Sequence, residues 1–137
     1  MRSNEDKYNS LLNMKERLWM AIEALVTRPG SKALILADAY SYLHVLSYPE
    51  YAESTSADLL PKLEDLNNAF DSEIDLSKRN YKKKYDHELD TSIHSIYCHP
   101  LCFCAPQKIT KLIRKILDLY SSLDSFLESP CYPSLGN

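Results

Sequence analysis

Nine cations crowd into residues 78–115, and they fall in two clusters. Lys78, Arg79, Lys82, Lys83 and Lys84 form the first, with Tyr81 and Tyr85 interleaved; Lys108, Lys111, Arg114 and Lys115 form the second. Cations neutralise phosphates, and aromatic rings beside them suit stacking on unpaired bases. The segment carries only three acids, for a net charge of +6, against −6 for residues 1–77 and −3 for residues 116–137. The formal total of −3 therefore conceals a strong segregation. The expected partner is nucleic acid or an acidic protein surface.

A second concentration of reactive types lies just after the first cluster. His94, Cys98, His99, Cys102 and Cys104 fall within eleven residues. Thiolate and imidazole are the ligands of tetrahedral zinc, so His94, Cys98, Cys102 and Cys104 make a possible zinc set. The spacing matches no paired Cys-x-x-Cys pattern, and free cysteines also pack as small apolar side chains beside neighbours such as Leu101 and Phe103. A disulfide from Cys98 to Cys102 or Cys104 is a third reading. Cys131 lies beyond a long last helix and cannot fold back to Cys104, so it is expected to be unpaired or paired between chains.

Catalysis needs a nucleophile beside an oriented base, and no third orienting group stands out near Cys98 and His99. The sequence Arg79-Asn80, followed by His87, resembles the arginine–polar–histidine arrangement of small helical HEPN ribonucleases. Here seven residues intervene, slightly more than in that pattern. The resemblance implies a metal-independent ribonuclease in which Arg79 holds a phosphate and His87 moves protons. On one helix, an offset of eight leaves the two side chains about 80° apart.

The elements that must position these residues read as helices. Ser3 with Asp6 resembles a capping box, and Tyr8, Leu11, Leu12, Leu18, Trp19, Ile22, Leu25 and Val26 recur mostly at steps of three and four. Arg28-Pro29-Gly30 ends this first helix. Ser31 caps a second, with a stripe of Ile35, Ala39, Tyr42, Leu43 and Leu46, stopped at Pro49. Glu50 to Ser56 reads as loop. Asp58 caps a third helix with Pro61 in its first turn and Leu59, Leu60, Leu63, Leu66 and Phe70 as its stripe. Ser72 with Asp75 predicts a break near Asp71. A fourth helix is expected from about Glu73 to Tyr97, a loop over Cys98–Ala105, and a fifth helix from Pro106, with Ile109, Leu112, Ile113, Ile116, Tyr120, Leu123 and Leu127 on one face.

The expected fold is thus all-α, an antiparallel bundle of four to five helices in a single domain, residues 1–128, with an irregular tail over 129–137. In that layout each basic cluster occupies the N-terminal half of its helix, opposing the macrodipole, and the two lie about 30 Å apart. Only two glycines occur, Gly30 and Gly136, which excludes glycine-rich phosphate loops and dinucleotide folds. No apolar run spans a bilayer, and the polar start, Met1 to Ser10, does not read as a secretory signal, so an intracellular setting is expected. The resulting expectation is a small non-enzymatic binding or assembly subunit using residues 78–115. The alternatives are the ribonuclease and a purely protein-binding module with a zinc-stabilised loop. Ten tyrosines favour a protein partner or self-association.

Overall fold

The computed structural model describes residues 3–90 and 99–128. Local signals set the first two helices. The Ser3 hydroxyl accepts from the Asp6 N–H (3.1 Å), satisfying one of the orphan donors of α1, Asn4–Thr27. Pro29 cannot extend that helix, and Gly30 takes φ 121°, a left-handed value that other side chains rarely adopt. Ser31 then caps α2, Lys32–Leu43, by accepting from the Leu34 N–H (3.3 Å). A 3-10 turn over His44–Ser47 prolongs α2.

The stretch read as loop is instead a short helix, α3, Pro49–Ser54. Pro49 sits in its first turn, where a missing N–H costs nothing. Tyr51 and Ser54, three apart, are buried, and the Tyr51 hydroxyl donates to Asn13 Oδ1 (2.5 Å). Burial of that pair overrides the polar composition of the segment.

The expected break near Asp71 is absent. One helix, α4, runs unbroken over Leu60–Tyr85. Leu63, Leu66, Phe70 and Ser77 continue a single buried line across the junction, with Ile74 half-buried between them. A continuous apolar stripe outweighs a weak capping signal. The start also differs from expectation: the Ser56 hydroxyl, not Asp58, accepts from the Leu59 N–H (3.4 Å). The helix does not reach Tyr97. Asp86 takes φ 59°, and its N–H bonds the Lys82 carbonyl, the left-handed stop that aspartate tolerates better than most residues. His87 to Asp90 follow as irregular chain, and residues 91–98 lie outside the described residues.

After a 3-10 turn over Pro100–Phe103, Pro106 opens α5, Pro106–Leu127. Ile109, Leu112, Ile116, Leu119 and Leu123 are buried along one face of it. The core joins these to Leu11, Met14, Leu18 and Ala21 of α1, to Leu36 and Leu43 of α2, and to the α4 line. The fold is all-α, an antiparallel helical bundle with five helices among the described residues. The tail expected over 129–137 lies outside them, and no described helix is long and apolar enough to cross a membrane.

Three polar links fix how α4 lies on α5. Lys62 Nζ reaches Asp118 Oδ1 (3.3 Å) and Ser122 Oγ (2.7 Å); Lys115 meets Asp65 (2.5 Å); Lys108 meets Glu73 (3.8 Å). The numbers run in opposite senses, so the helices are antiparallel. Lying at the margin of the two helices, each ion pair contributes roughly 0–1 kcal/mol. The strength lies in the apolar seam beneath. Phe70, at 1% exposure and stacked on Tyr40 (ring centroids 4.7 Å), is its widest side chain. Phe70→Ala should lower stability by about 3–5 kcal/mol, read from urea unfolding with helicity as the signal.

Candidate nucleic-acid interface

The antiparallel register decides where the cations lie. Since Lys108 is level with Glu73, α5 begins opposite the middle of α4, and the last turns of α4 project beyond it. That projection carries Lys78, Arg79, Lys82, Lys83 and Lys84. The layout expected from sequence, with two N-terminal halves about 30 Å apart, is therefore corrected. The first cluster sits at the C-terminal end of its helix, on the same end of the bundle as the start of α5. Lys82, Lys83 and Lys84 occupy the last turn, where cations complement the macrodipole rather than oppose it.

Aromatic packing holds the projection in place. Tyr81 and Phe103 of the 3-10 turn meet edge to face (4.9 Å), and the rings of Tyr85 (4.6 Å, tilted) and His87 (5.4 Å, edge-on) close around Tyr81. Tyr85 remains 46% exposed, with the Lys84 ammonium 5.3 Å from its ring centre. At about 100° per residue, Lys78, Lys82, Arg79 and Lys83 span an arc of roughly 140° on the open side of the helix. Lys78, Arg79 and Lys82 line a cleft of about 320 Å³ whose far wall is Glu88 and Leu89. Lys82 is partly neutralised by Glu88 (3.5 Å). Lys78, Arg79, Lys83 and Lys84 have no carboxylate within ion-pair distance among the described residues.

The second cluster divides. Lys108 and Lys115 turn toward α4 and are held by Glu73 and Asp65. Lys111 and Arg114 face solvent. By the shared register Lys111 lies about 15 Å along the axis from Arg79, and Arg114 about 20 Å, so neither joins the α4 cleft. Glu88 and Leu89, which line that cleft, were not expected there, because the sequence placed them inside a longer helix. The only local hint was Asp86, a residue type that accepts the left-handed conformation.

The ribonuclease-like pair does not form as on one helix. Arg79 is on α4, whereas His87 lies past the turn at Asp86. Its Nδ1–H donates to the Glu88 carbonyl (3.1 Å), and its ring faces Tyr81 and Tyr85. The helical offset of about 80° therefore does not apply.

Of the zinc set suggested by sequence, His94 and Cys98 lie outside the described residues. Cys102 is half-buried and Cys104 buried. Burial pushes the Cys104 thiol up to about 11, with Glu73 adding to the shift, and the thiol donates to the Ala105 carbonyl (3.7 Å). No group of three or more His, Cys, Asp or Glu side chains is placed to hold a metal among the described residues.

His99 has a structural part. Its Nδ1 accepts from the Leu101 N–H (3.1 Å), capping the 3-10 turn that Tyr81 packs against. Its ring lies 5.6 Å from that of Tyr40, which also approaches His44 (6.2 Å). A histidine immediately before proline was the available signal for such a cap. Comparison of the chain with protein-family models, curated proteins and solved structures found no match.

Burial lowers the pKa of His99, and the positive Lys78 and nearby His44 lower it further. The fold thus favours the neutral ring, whose Nδ1 must stay unprotonated to accept. That stabilisation is fully present above the unfolded-state value of about 6.5 and is lost as pH falls through the lower folded-state value. Stability should therefore fall from about pH 7.5 toward about pH 5. His99→Ala should be less stable at the upper end of that range and show a flatter profile, measured by thermal unfolding across it.

Proposed function

We propose that the chain is a non-enzymatic binding subunit that takes single-stranded nucleic acid on the projecting end of α4. The observation that carries this reading is the density of unneutralised charge beside an exposed ring. Five cations occupy seven residues, four of them have no carboxylate partner among the described residues, and Tyr85 stands at their edge. Helix stability accounts for cations in the last turn at a few tenths of a kcal/mol each. It does not account for Lys78 and Arg79 a full turn earlier, nor for the cleft they share with Lys82.

In this reading Lys78, Arg79, Lys82 and Lys83 grip successive phosphates along the open arc. Arg79 presents a planar fork suited to a phosphate, and the lysines act as point charges. Tyr85 offers a face for one base, its ring held by Tyr81 and polarised by Lys84. The strand would bend around the blunt end of the bundle rather than lie along it, since Lys111 and Arg114 are displaced along α5. Nothing in the arrangement reads base edges, so binding should be tolerant of sequence. An acidic protein surface would answer to the same charges but would gain little from the exposed ring.

Fluorescence anisotropy with labelled single-stranded RNA and with duplex of the same length tests this. Single strands should bind more tightly, with affinity falling steeply with salt. Replacing Lys78, Arg79, Lys82 and Lys83 by glutamine should weaken binding and reduce the salt slope by roughly 3, since each neutralised phosphate of a single strand accounts for about 0.7 of it. Tyr85→Ala should cost about 1–3 kcal/mol of single-strand binding and leave the salt slope unchanged. Absence of salt-dependent binding at low ionic strength would remove nucleic acid as the partner and leave the acidic protein.

A further inference from the structure

The helical stripe of α1 is wider in sequence than its buried face. Leu11, Met14, Leu18 and Ala21 are fully buried, but Leu12, Trp19 and Val26, at successive steps of seven, are 39%, 49% and 77% exposed. These three form a second apolar line on the outer side of the helix, away from the core. Alongside it, α5 presents Tyr120, half-buried against Trp19 (5.9 Å), and Leu117, 46% exposed. Leu12, Lys15, Glu16, Trp19 and Tyr120 enclose a shallow cleft of about 340 Å³.

We infer that this α1–α5 face pairs with the same face of a second copy of the chain, about a two-fold axis parallel to the helices. The charges on its two rims carry the choice of occupant. Lys15 bonds Asp124 (2.5 Å) and Trp19 meets Tyr120, so α1 and α5 are antiparallel, and the register puts Arg114 level with Leu25. On α1 the rim away from α5 carries Glu16 and Glu23. On α5 the rim away from α1 carries Arg114. Glu23 and Arg114 are both exposed and have no ion-pair partner among the described residues. A two-fold along the helices lays α1 of one copy over α5 of the other. Each Glu23 then lies within a turn of Arg114 of the second copy, and the contact occurs twice, as an isologous interface requires. A two-fold perpendicular to the helices would instead set α1 on α1, bringing carboxylate rims together.

The size is adequate. α1 is about 36 Å long and two adjacent helices are about 20 Å wide, on the order of 700 Å² a copy, against about 800 Å² per partner for a standard stable interface. The centre is a tryptophan flanked by aliphatic side chains with charges at the margin, the distribution expected of an anchored interface. This inference is independent of the nucleic-acid reading, because none of the α4 cations takes part.

Trp19 is the chain's only tryptophan, so its emission reports this face alone. Sedimentation equilibrium and fluorescence of the full chain, in reductant to exclude cysteine-linked pairs, should be followed from micromolar to near-millimolar concentration. The mass should double while the emission shifts to the blue and acrylamide quenching falls. Trp19→Ser should raise the dimer dissociation constant by about tenfold or more, with helicity unchanged. Glu23→Arg and Arg114→Glu should each weaken pairing several-fold, and the two together should restore it to within about twofold. A chain monomeric at every concentration, with Trp19 exposed, overturns the inference and leaves the face to a different protein. So does a dimer in which Trp19 remains quenchable, or one whose charge reversals do not compensate.

Discussion

The antiparallel seam between α4 and α5 fixes where the cations of residues 78–115 lie. Burial of Leu63, Leu66 and Phe70 against the Ile109–Leu112–Ile116 face holds the helices together, and it does so without choosing a register sharply, since aliphatic side chains tolerate sliding. The polar margin supplies the choice. Asp65 with Lys115, Glu73 with Lys108, and Lys62 with Asp118 and Ser122 all agree on one alignment. Each is weak, but a slip of one turn would separate Asp65 from Lys115 and Glu73 from Lys108 together, and in one direction would set Lys62 level with Lys115. The same alignment leaves the last turns of α4 without a helical neighbour on the α5 side. The basic projection is thus a consequence of register, and two of the cations that looked available in sequence are what sets it.

That geometry explains which parts of the fold were legible beforehand. The caps at Ser3 and Ser31, the stop at Pro29-Gly30 and the start at Pro106 are local events, decided by one side chain and one orphan backbone group, and they read directly from residue types. Local signals and structure part where a non-local effect competes. Ser72 and Asp75 form a plausible capping pair in isolation, but Phe70, Ile74 and Ser77 face a common core, and packing outweighs the cap. Glu50 and Glu53 make α3 look like loop, whereas buried Tyr51 recruits Asn13 of α1. At Asp86 the chain leaves the helix through a left-handed aspartate, a stop whose sequence signature is too common to be diagnostic. Trp19 is the sharpest case: periodicity assigned it to a helix face, and only the arrival of α5 on one side and solvent on the other decided which part of that face was core.

The candidate site was half legible for the same reason. Residue types and clustering pointed to residues 78–85 without any tertiary knowledge, and those side chains do lie together. The division of the second cluster into structural and solvent-facing members was invisible, because it depends on which α4 carboxylate sits opposite each α5 lysine. Of the metal set suggested in the cysteine and histidine run, only Cys102 and Cys104 fall on described residues. Five histidine and cysteine residues in eleven positions suggested metal; within the same run His99 caps the 3-10 turn and Cys104 is buried, roles that a composition count does not distinguish from coordination.

The basic projection of α4 and the apolar α1–α5 face have a geometric relation that constrains how they would act together. The C-terminal ends of α1 and α4 share one end of the bundle, because both helices run antiparallel to α5. A two-fold axis parallel to the helices leaves that end unchanged in direction, so both basic projections of a pair would face the same way. A single strand crossing that end could meet both, and the second contact would be intramolecular, with affinity gained through effective concentration rather than through any new interaction. With the opposite choice of axis the projections would point apart and no common strand could reach them. Orientation of the pairing, more than its strength, is therefore what would turn two small sequence-tolerant grips into one extended site.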